Sequence, residues 1–179
     1  MKLITIMALG TLLLAPPSVF SEPKQVFVVR HAERAEEPKG DPAISAEGVA
    51  RAELLAQVLA ATKLQAILTT QYRRTQETAA PTARRFGLTP KVLTIQRGGA
   101  DAHVEELIAE VRKTPGPILV VGHSNTVAGI VAGLSSSQPI KLCETSFANL
   151  FVLTLDATPL PAAQLKYGKP DVAPEPGCQ

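Results

Sequence analysis

The sequence contains no tryptophan, and aromatic residues make up only 4% of it. The interior must therefore be filled by Val, Leu, Ile and Ala. Cysteine is equally scarce: two residues in 179 cannot staple a domain of this size, so the core has to hold it. Neither sign of charge dominates, with 18 Lys and Arg against 16 Asp and Glu and a formal net charge of +2. That balance argues against a nucleic-acid binder, whose affinity comes from many clustered Lys and Arg. There is no internal repeat, and low complexity is confined to Ser135-Ser136-Ser137 and the Pro-rich C-terminal end. Collagen-like, low-complexity and disulfide-dense chains are excluded on composition. What remains is 45% apolar residues in a length that suits one domain.

The N-terminus differs from the rest. Lys2 precedes an uncharged, mainly apolar run of twelve residues, 3–14, which Ala15-Pro16-Pro17-Ser18 then breaks. Val19-Phe20-Ser21 places a small residue before a cut at Glu22. These are the three regions of a secretory signal peptide, and the run is too short for a membrane-spanning helix of roughly 20 residues. The expected organisation is a signal peptide at 1–21, a catalytic-size domain at 22–158 and a Pro-rich tail at 159–179. The expected location is periplasmic or extracellular, without stable membrane insertion once the signal is removed; the alternative is an uncleaved anchor. In an oxidising compartment Cys143 and Cys178 are expected to bridge, tying down a tail that cannot pack by itself. Two free thiols are the alternative.

Hydrophobic patterning alternates between strand and helix. Residues 25–29 (Gln-Val-Phe-Val-Val) form an apolar run of the kind buried on both faces of a sheet. Ser45 stands at an N-cap position before Val49, Ala52, Ala56 and Leu59 at helical spacing. A short strand at 65–69 precedes a helix over 74–86, with Pro81 as a kink or restart and Gly87 as its stop. A weaker strand at 91–95, a glycine-bearing loop at 97–101, and a helix carrying Val104, Leu107, Ile108 and Val111 follow. A buried strand at 117–121, a helix over 125–134 and a strand at 149–155 complete the order. The pattern predicts an α/β fold, a three-layer sandwich with a mainly parallel central sheet flanked by helices. Nothing resembles a dimerisation heptad.

Ligand sites in such folds lie beyond the carboxyl ends of the strands. His31 follows the first strand directly, in Val28-Val29-Arg30-His31, and His123 follows a later one, in Val120-Val121-Gly122-His123-Ser124. Arg73 and Arg74 lie just beyond the strand at 65–69. Guanidinium groups match phosphate oxygens in bidentate geometry and keep their charge. A neutral imidazole can attack phosphorus. Spacing alone leaves two readings open: ordinary polar residues at strand ends, or a phosphate-handling site. A histidine metal site fits poorly, because two cationic arginines would repel a dication and thiolates or clustered carboxylates are missing.

Four motifs in order add to this. Val29-Arg30-His31-Ala32-Glu33 resembles the Arg-His-Gly/Ala-Glu signature of the histidine phosphatase superfamily, the phosphoglycerate-mutase-like fold of branch 1. Ile44-Ser45-Ala46-Glu47-Gly48 is similar to its Leu-Ser/Thr-x-x-Gly helix start. The segment from Thr69-Thr70 through Arg74 to Thr78-Ala79 resembles its Ser-Ser/Pro-x-x-x-Arg segment, with Thr in place of Ser but a hydroxyl kept. Val121-Gly122-His123-Ser124 matches the second-histidine motif. The resemblance implies that His31 is the nucleophile and becomes phosphorylated. It implies that Arg30 and Arg74 clamp the phosphoryl oxygens, that His123 hydrogen-bonds the same group, and that Arg73 faces solvent. A proton donor is expected between the second Arg and the second His. Asp101 is the preferred candidate, with His103, Glu105 and Glu106 as alternatives; His103 is also a candidate phosphate ligand. Glu33 and Arg34 line the same loop as His31 or form a surface pair.

No cofactor or metal is implied. Only the short loops 34–42 and 96–103 are left to cover the pocket, which favours a phosphatase open to water over a mutase. Small phosphorylated molecules are the expected substrates, phosphomonoesters or phosphoamidates, and a non-catalytic phospholigand-binding protein of the cell envelope is the alternative.

Overall fold

The computed structural model describes residues 24–138, 140–155 and 161–171. The expected signal peptide and Cys178 lie outside these residues. Among the described residues the order is β1 (Lys24–Arg30), α1 (Ala46–Val58), β2 (Ala66–Thr69), α2 (Arg73–Phe86), β3 (Lys91–Val92), α3 (Ala100–Lys113), β4 (Ile118–Gly122), α4 (Ser124–Leu134), β5 (Asn149–Leu155) and β6 (Ala163–Lys166).

The strands form one sheet in the order β3-β2-β4-β1-β5-β6. β3, β2, β4 and β1 are parallel neighbours, while β5 runs antiparallel to β1 and β6 antiparallel to β5. The sheet is therefore mainly parallel, as the alternating pattern predicts. The central strands are buried on both faces because their side chains alternate between two cores. Val26, Val28, Leu68, Ile118 and Val120 pack with Leu107, Val111, Val127 and Ile130 of α3 and α4. Phe27, Val29, Ile67, Leu119 and Val121 pack with Leu55 of α1, with Leu59 just past its end, and with Ala79 and Ala83 of α2.

Local signals set the helix ends. The Ser45 hydroxyl accepts from the Gly48 amide at 3.2 Å, capping α1. Gly87 takes φ +64° and closes α2, a backbone conformation that favours glycine. α2 runs unbroken through Pro81, whose ring removes one backbone donor; packing of Thr78, Pro81 and Thr82 into the interior holds the helix together.

Three expectations change. β3 shrinks to two residues, since Lys91 and Val92 are exposed at the sheet's edge and gain little from pairing. The loop expected to reach Asp101 ends earlier, so that Asp101 sits in the first turn of α3. The segment expected as a Pro-rich tail contains β6, which pairs with β5, so the sheet extends past residue 158. Residues 163–166 are exposed and carry no hydrophobic strand signature; only the open edge of β5 draws them into the sheet. Tyr167, just beyond, is buried in the core under α1 and α2.

Gly48 shows how α1 is seated on the loop after β1. A Cβ there would stand 2.3 Å from the Glu33 carbonyl oxygen and 3.2 Å from its carbon, both backbone atoms that cannot swing aside. Gly48→Ala should therefore lower the urea midpoint by the equivalent of about 1–3 kcal/mol, the usual cost of overpacking a tight site. An unchanged midpoint would show that the loop yields freely.

Candidate functional site

β1 and β4 are adjacent, yet their following helices lie on opposite faces of the sheet: α1 packs with the face shared by α2, and α4 with the face shared by α3. Their carboxyl ends thus form a crevice where the chain departs in two directions, the usual ligand position in open α/β sheets. Arg30 is in register with Gly122, and the His31 amide donates to the Gly122 carbonyl at 2.9 Å. This sets the His31 and His123 rings 5.3 Å apart between centroids, tilted by 64°. Both are almost fully buried.

The hydrogen bonds assign the tautomers. His31 Nδ1 lies 2.8 Å from the Ala32 carbonyl, which can only accept, so Nδ1 carries the proton and the Nε2 lone pair is free. Arg74 Nη2 lies 3.4 Å from His123 Nδ1 and can only donate, so the His123 proton sits on Nε2 and points to the Thr70 hydroxyl at 3.0 Å. Thr70 is held in turn by Thr75, whose hydroxyl lies 3.0 Å away. The hydroxyl at the second Thr of Thr69-Thr70 is therefore what orients His123.

Further bonds fix the loop that carries His31. The Ala32 amide donates to Thr78 Oγ1 at 2.9 Å. Glu33 is no surface group: its carboxylate takes Nε and Nη2 of buried Arg51, the latter at 2.6 Å. Arg51 also donates to the carbonyls of Tyr167 and Lys169. The residue after the catalytic-type Arg-His-Ala is thus latched through α1 to the chain beyond β6.

Two arginines, Arg30 and Arg74, act on both imidazoles. Arg74 stacks over Tyr72 with its guanidinium carbon 4.3 Å from the ring centre, and stands 3.8 Å from Asp41. Arg73 is turned outward and pairs with Glu77 one helical turn on. Arg30 is buried, stacked 4.3 Å over Phe147, and donates from Nη1 to the Cys143 carbonyl and from Nη2 to Glu144, both at 2.9 Å. The Nε atoms of both Arg30 and Arg74 are buried without a hydrogen-bond partner. Arg34, exposed on the loop after β1, adds a third positive charge that acts on Arg30, His31 and Arg74.

These surroundings keep both imidazoles neutral. Burial pushes His31 down to about 3, against the Ala32 hydrogen bond that favours its charged form, and Arg30, Arg74 and Arg34 push it further. His123 is pushed to about 3 by burial first, then by His31 and Arg74. A neutral, desolvated nitrogen ringed by fixed positive charge suits attack on an anionic centre.

The expected proton donors fare differently. Asp101, Glu105 and Glu106 are exposed on α3, and Asp101 makes no hydrogen bond or ion pair with Arg30, His31, Arg74 or His123. His103 is buried on α3 and burial lowers its pKa; its charge would act on His123, and neither of its ring nitrogens has a hydrogen-bond partner. Glu144 escaped sequence reading altogether: no motif surrounds it, and only the return of the chain into β5 brings it to Arg30. Cys143 beside it is disulfide-bonded, and Cys178 lies outside the described residues.

The lowered histidine pKa values carry a stability cost. An unfolded imidazole takes up a proton near pH 6.5, while folded His31 and His123 refuse it until about pH 3. Between those limits the unfolded chain binds more protons, so stability must fall as pH falls. The slope should approach about 1.4 kcal/mol per pH unit for each imidazole. Urea unfolding between pH 6.5 and 5.5, where carboxylates stay largely ionised, should show this decline, and a His31→Asn/His123→Asn double variant should reduce it to the share that His103 contributes. A wild-type midpoint constant over that window would contradict the assigned neutral states.

Comparison with known proteins bears on the fold and on the N-terminal part of the described chain. Residues 26–95 match the model of the histidine phosphatase superfamily (branch 1). No curated protein matches the chain. Among solved structures, the protein histidine phosphatase SixA complexed with tungstate superposes with a TM-score of 0.63 at 19% identity, over 79% of this chain and 96% of that one. A mycobacterial glucosyl-3-phosphoglycerate phosphatase gives a TM-score of 0.61 at 18% identity, over 80% of this chain and 98% of the other. A putative alpha-ribazole-5'-P phosphatase from Escherichia coli gives 0.60 at 13%, over 86% and 100%. The Arg-His motif lies inside the segment that matches the histidine phosphatase superfamily (branch 1), and the chain shares its fold with these structures.

Proposed function

We propose that the protein is a phosphatase that hydrolyses small phosphomonoesters or phosphoamidates through a phosphohistidine on His31, with no cofactor. The observation that carries this reading is the free Nε2 lone pair of a neutral, buried His31 between Arg30 and Arg74. Nε2 attacks phosphorus, the arginines and His123 hold the phosphoryl oxygens as charge shifts onto them, and water then releases phosphate. For His123 to serve the phosphoryl group, its Nε2 proton must turn from the Thr70 hydroxyl to a substrate oxygen. The relatives named phosphatases in the comparisons support hydrolysis, and the short loops at 34–42 and 96–103 support water access over phosphoryl return to a bound acceptor.

An extracytoplasmic location, periplasmic or extracellular, is part of the proposal. The N-terminal signal pattern and the disulfide at Cys143 support it. Substrates would then be phosphorylated small molecules met outside the cytoplasm. No helix among the described residues is long and apolar enough to cross a membrane.

The test is phosphate release from p-nitrophenyl phosphate at pH 4 to 8 with chelator present. His31→Ala should abolish turnover, and Arg74→Ala should lower kcat/KM by about 10²–10³-fold, the usual scale for removing a preorganised charge-stabilising donor. Arg73→Ala should change it less than about threefold, since exposed ion pairs contribute little. Turnover that survives His31→Ala would sink the phosphohistidine route. Binding of orthophosphate without turnover of any ester would favour the alternative, a phospholigand-binding protein.

A further inference from the structure

Glu144 is the acidic residue hydrogen-bonded to Arg30. Its Oε2 takes Arg30 Nη2 at 2.9 Å, and its Oε1 accepts from the hydroxyl of Ser124, the first residue of α4 and the neighbour of His123. The Ser124 hydrogen bond, and then the charges of Arg30 and Arg34, hold its carboxyl below the usual carboxylate range while Arg30 is in place, and it acts in turn on Arg74. It therefore lies at the mouth of the site, within the field of all three arginines. Its side chain is 74% exposed, whereas that of Arg30 is 3% exposed. A carboxylate so solvated holds Arg30 weakly and can be displaced by a more highly charged anion.

The segment carrying Glu144 is nevertheless well anchored. The Cys143 carbonyl accepts from Arg30 Nη1, the Phe147 ring underlies the same guanidinium, and Cys143 is disulfide-bonded. The amides of Phe147 and Ala148 both donate to Asp171 Oδ1, at 2.6 and 2.9 Å. A fixed backbone with a solvent-facing carboxylate next to the nucleophile's arginine is a geometry that suits a proton-transfer group. Asp101 has no comparable tie to the site, and His103 is enclosed.

On the reading of the site as a phosphatase, we infer that Glu144 is the catalytic residue that moves the proton. When substrate phosphate takes Arg30 Nη2, the Glu144 carboxyl is released beside new negative charge, which raises its hold on a proton. As His31 Nε2 forms its bond to phosphorus, the phosphorus–ester oxygen bond breaks with its electron pair going to oxygen. Glu144 gives its proton to that oxygen and the alcohol leaves. Water then attacks the phosphohistidine, one of its protons passes to the Glu144 carboxylate, and the phosphorus–nitrogen electron pair returns to Nε2. The cycle consumes one water and restores both groups.

The experiment compares Glu144→Gln, Glu144→Asp and wild type on two esters: p-nitrophenyl phosphate, whose phenolate leaves without a proton, and β-glycerol phosphate, whose alkoxide does not. Inhibition by orthophosphate reports on the folded pocket. Glu144→Gln should lower kcat on β-glycerol phosphate by about 10²–10⁴-fold, leave the first-turnover burst of p-nitrophenol within about tenfold while slowing its later turnover, and leave orthophosphate inhibition no weaker. Glu144→Asp should recover part of the loss. An equal loss on both esters with weaker orthophosphate inhibition would overturn the inference and make Glu144 a positioning residue for Arg30. A gain on both esters with tighter inhibition would overturn it too, making Glu144 a competitor for the phosphate site. Wild-type protein that turns over neither ester would instead defeat the phosphatase reading itself, and the role of Glu144 with it.

Discussion

The hydrogen bond from the His31 amide to the Gly122 carbonyl marks the contact on which the site depends. It extends the pairing of β1 with β4 one residue past the strand, at the point where their following helices part to opposite faces of the sheet. Because the two strands are parallel and in register, their ends stop at one level, and the residues that follow must meet. Val26, Val28, Val29 and the four residues Ile118, Leu119, Val120 and Val121 have no exposure at all. The apolar burial that holds the sheet thus also holds the two imidazoles at one separation, and the loops have little freedom to spoil it.

The second constraint is electrostatic. Removing two imidazoles from water favours their neutral forms, and three nearby guanidiniums reinforce that choice. The same arginines would be costly to gather without anions, and the fold offsets this in several ways. Aromatic faces lie against Arg30 and Arg74, and Asp41 and Glu144 stand at the exposed margin. Carbonyl oxygens of the segment before β5 take the donors of Arg30. The buried Nε atoms of both arginines keep hydrogen-bonding capacity in reserve for an arriving anion. Positive charge is therefore concentrated in the crevice while the chain as a whole is nearly neutral.

A chain of polar latches then connects the site to distant sequence. Glu33 holds Arg51, and Arg51 holds the carbonyls of Tyr167 and Lys169. Asp171 fixes the amides of Phe147 and Ala148, and Phe147 supports Arg30. Residues beyond β6 thus brace both sides of the crevice. A buried ion pair such as Arg51–Glu33 is weak as a source of net stability but strongly destabilising when only one partner is removed. Its value here is positional: it keeps the loop after β1 seated against α1, where Gly48 leaves room for the Glu33 carbonyl.

Most of this architecture was legible from the sequence by itself. Apolar runs mark the buried parallel strands, because a strand covered on both faces has no polar alternation to lose. Ser45 and Gly87 mark helix ends through local hydrogen bonding and a left-handed backbone, which need no tertiary partner. His31 and His123 are visible because they follow directly on such strands, and Arg30 and Arg74 because motif spacing carries them. Tertiary structure alone decided the rest. The antiparallel return of β5, and the pairing of an exposed β6 whose residues have no strand pattern, depend on an edge supplied by other residues. The helical placement of Asp101 depends on where α3 starts against its neighbours. Whether Glu33 meets solvent or Arg51, and whether a carboxylate reaches Arg30 from 114 residues away, are matters of long-range packing. Periodicity and caps are local and can be read along the chain; a charge pair across the fold has no local signal.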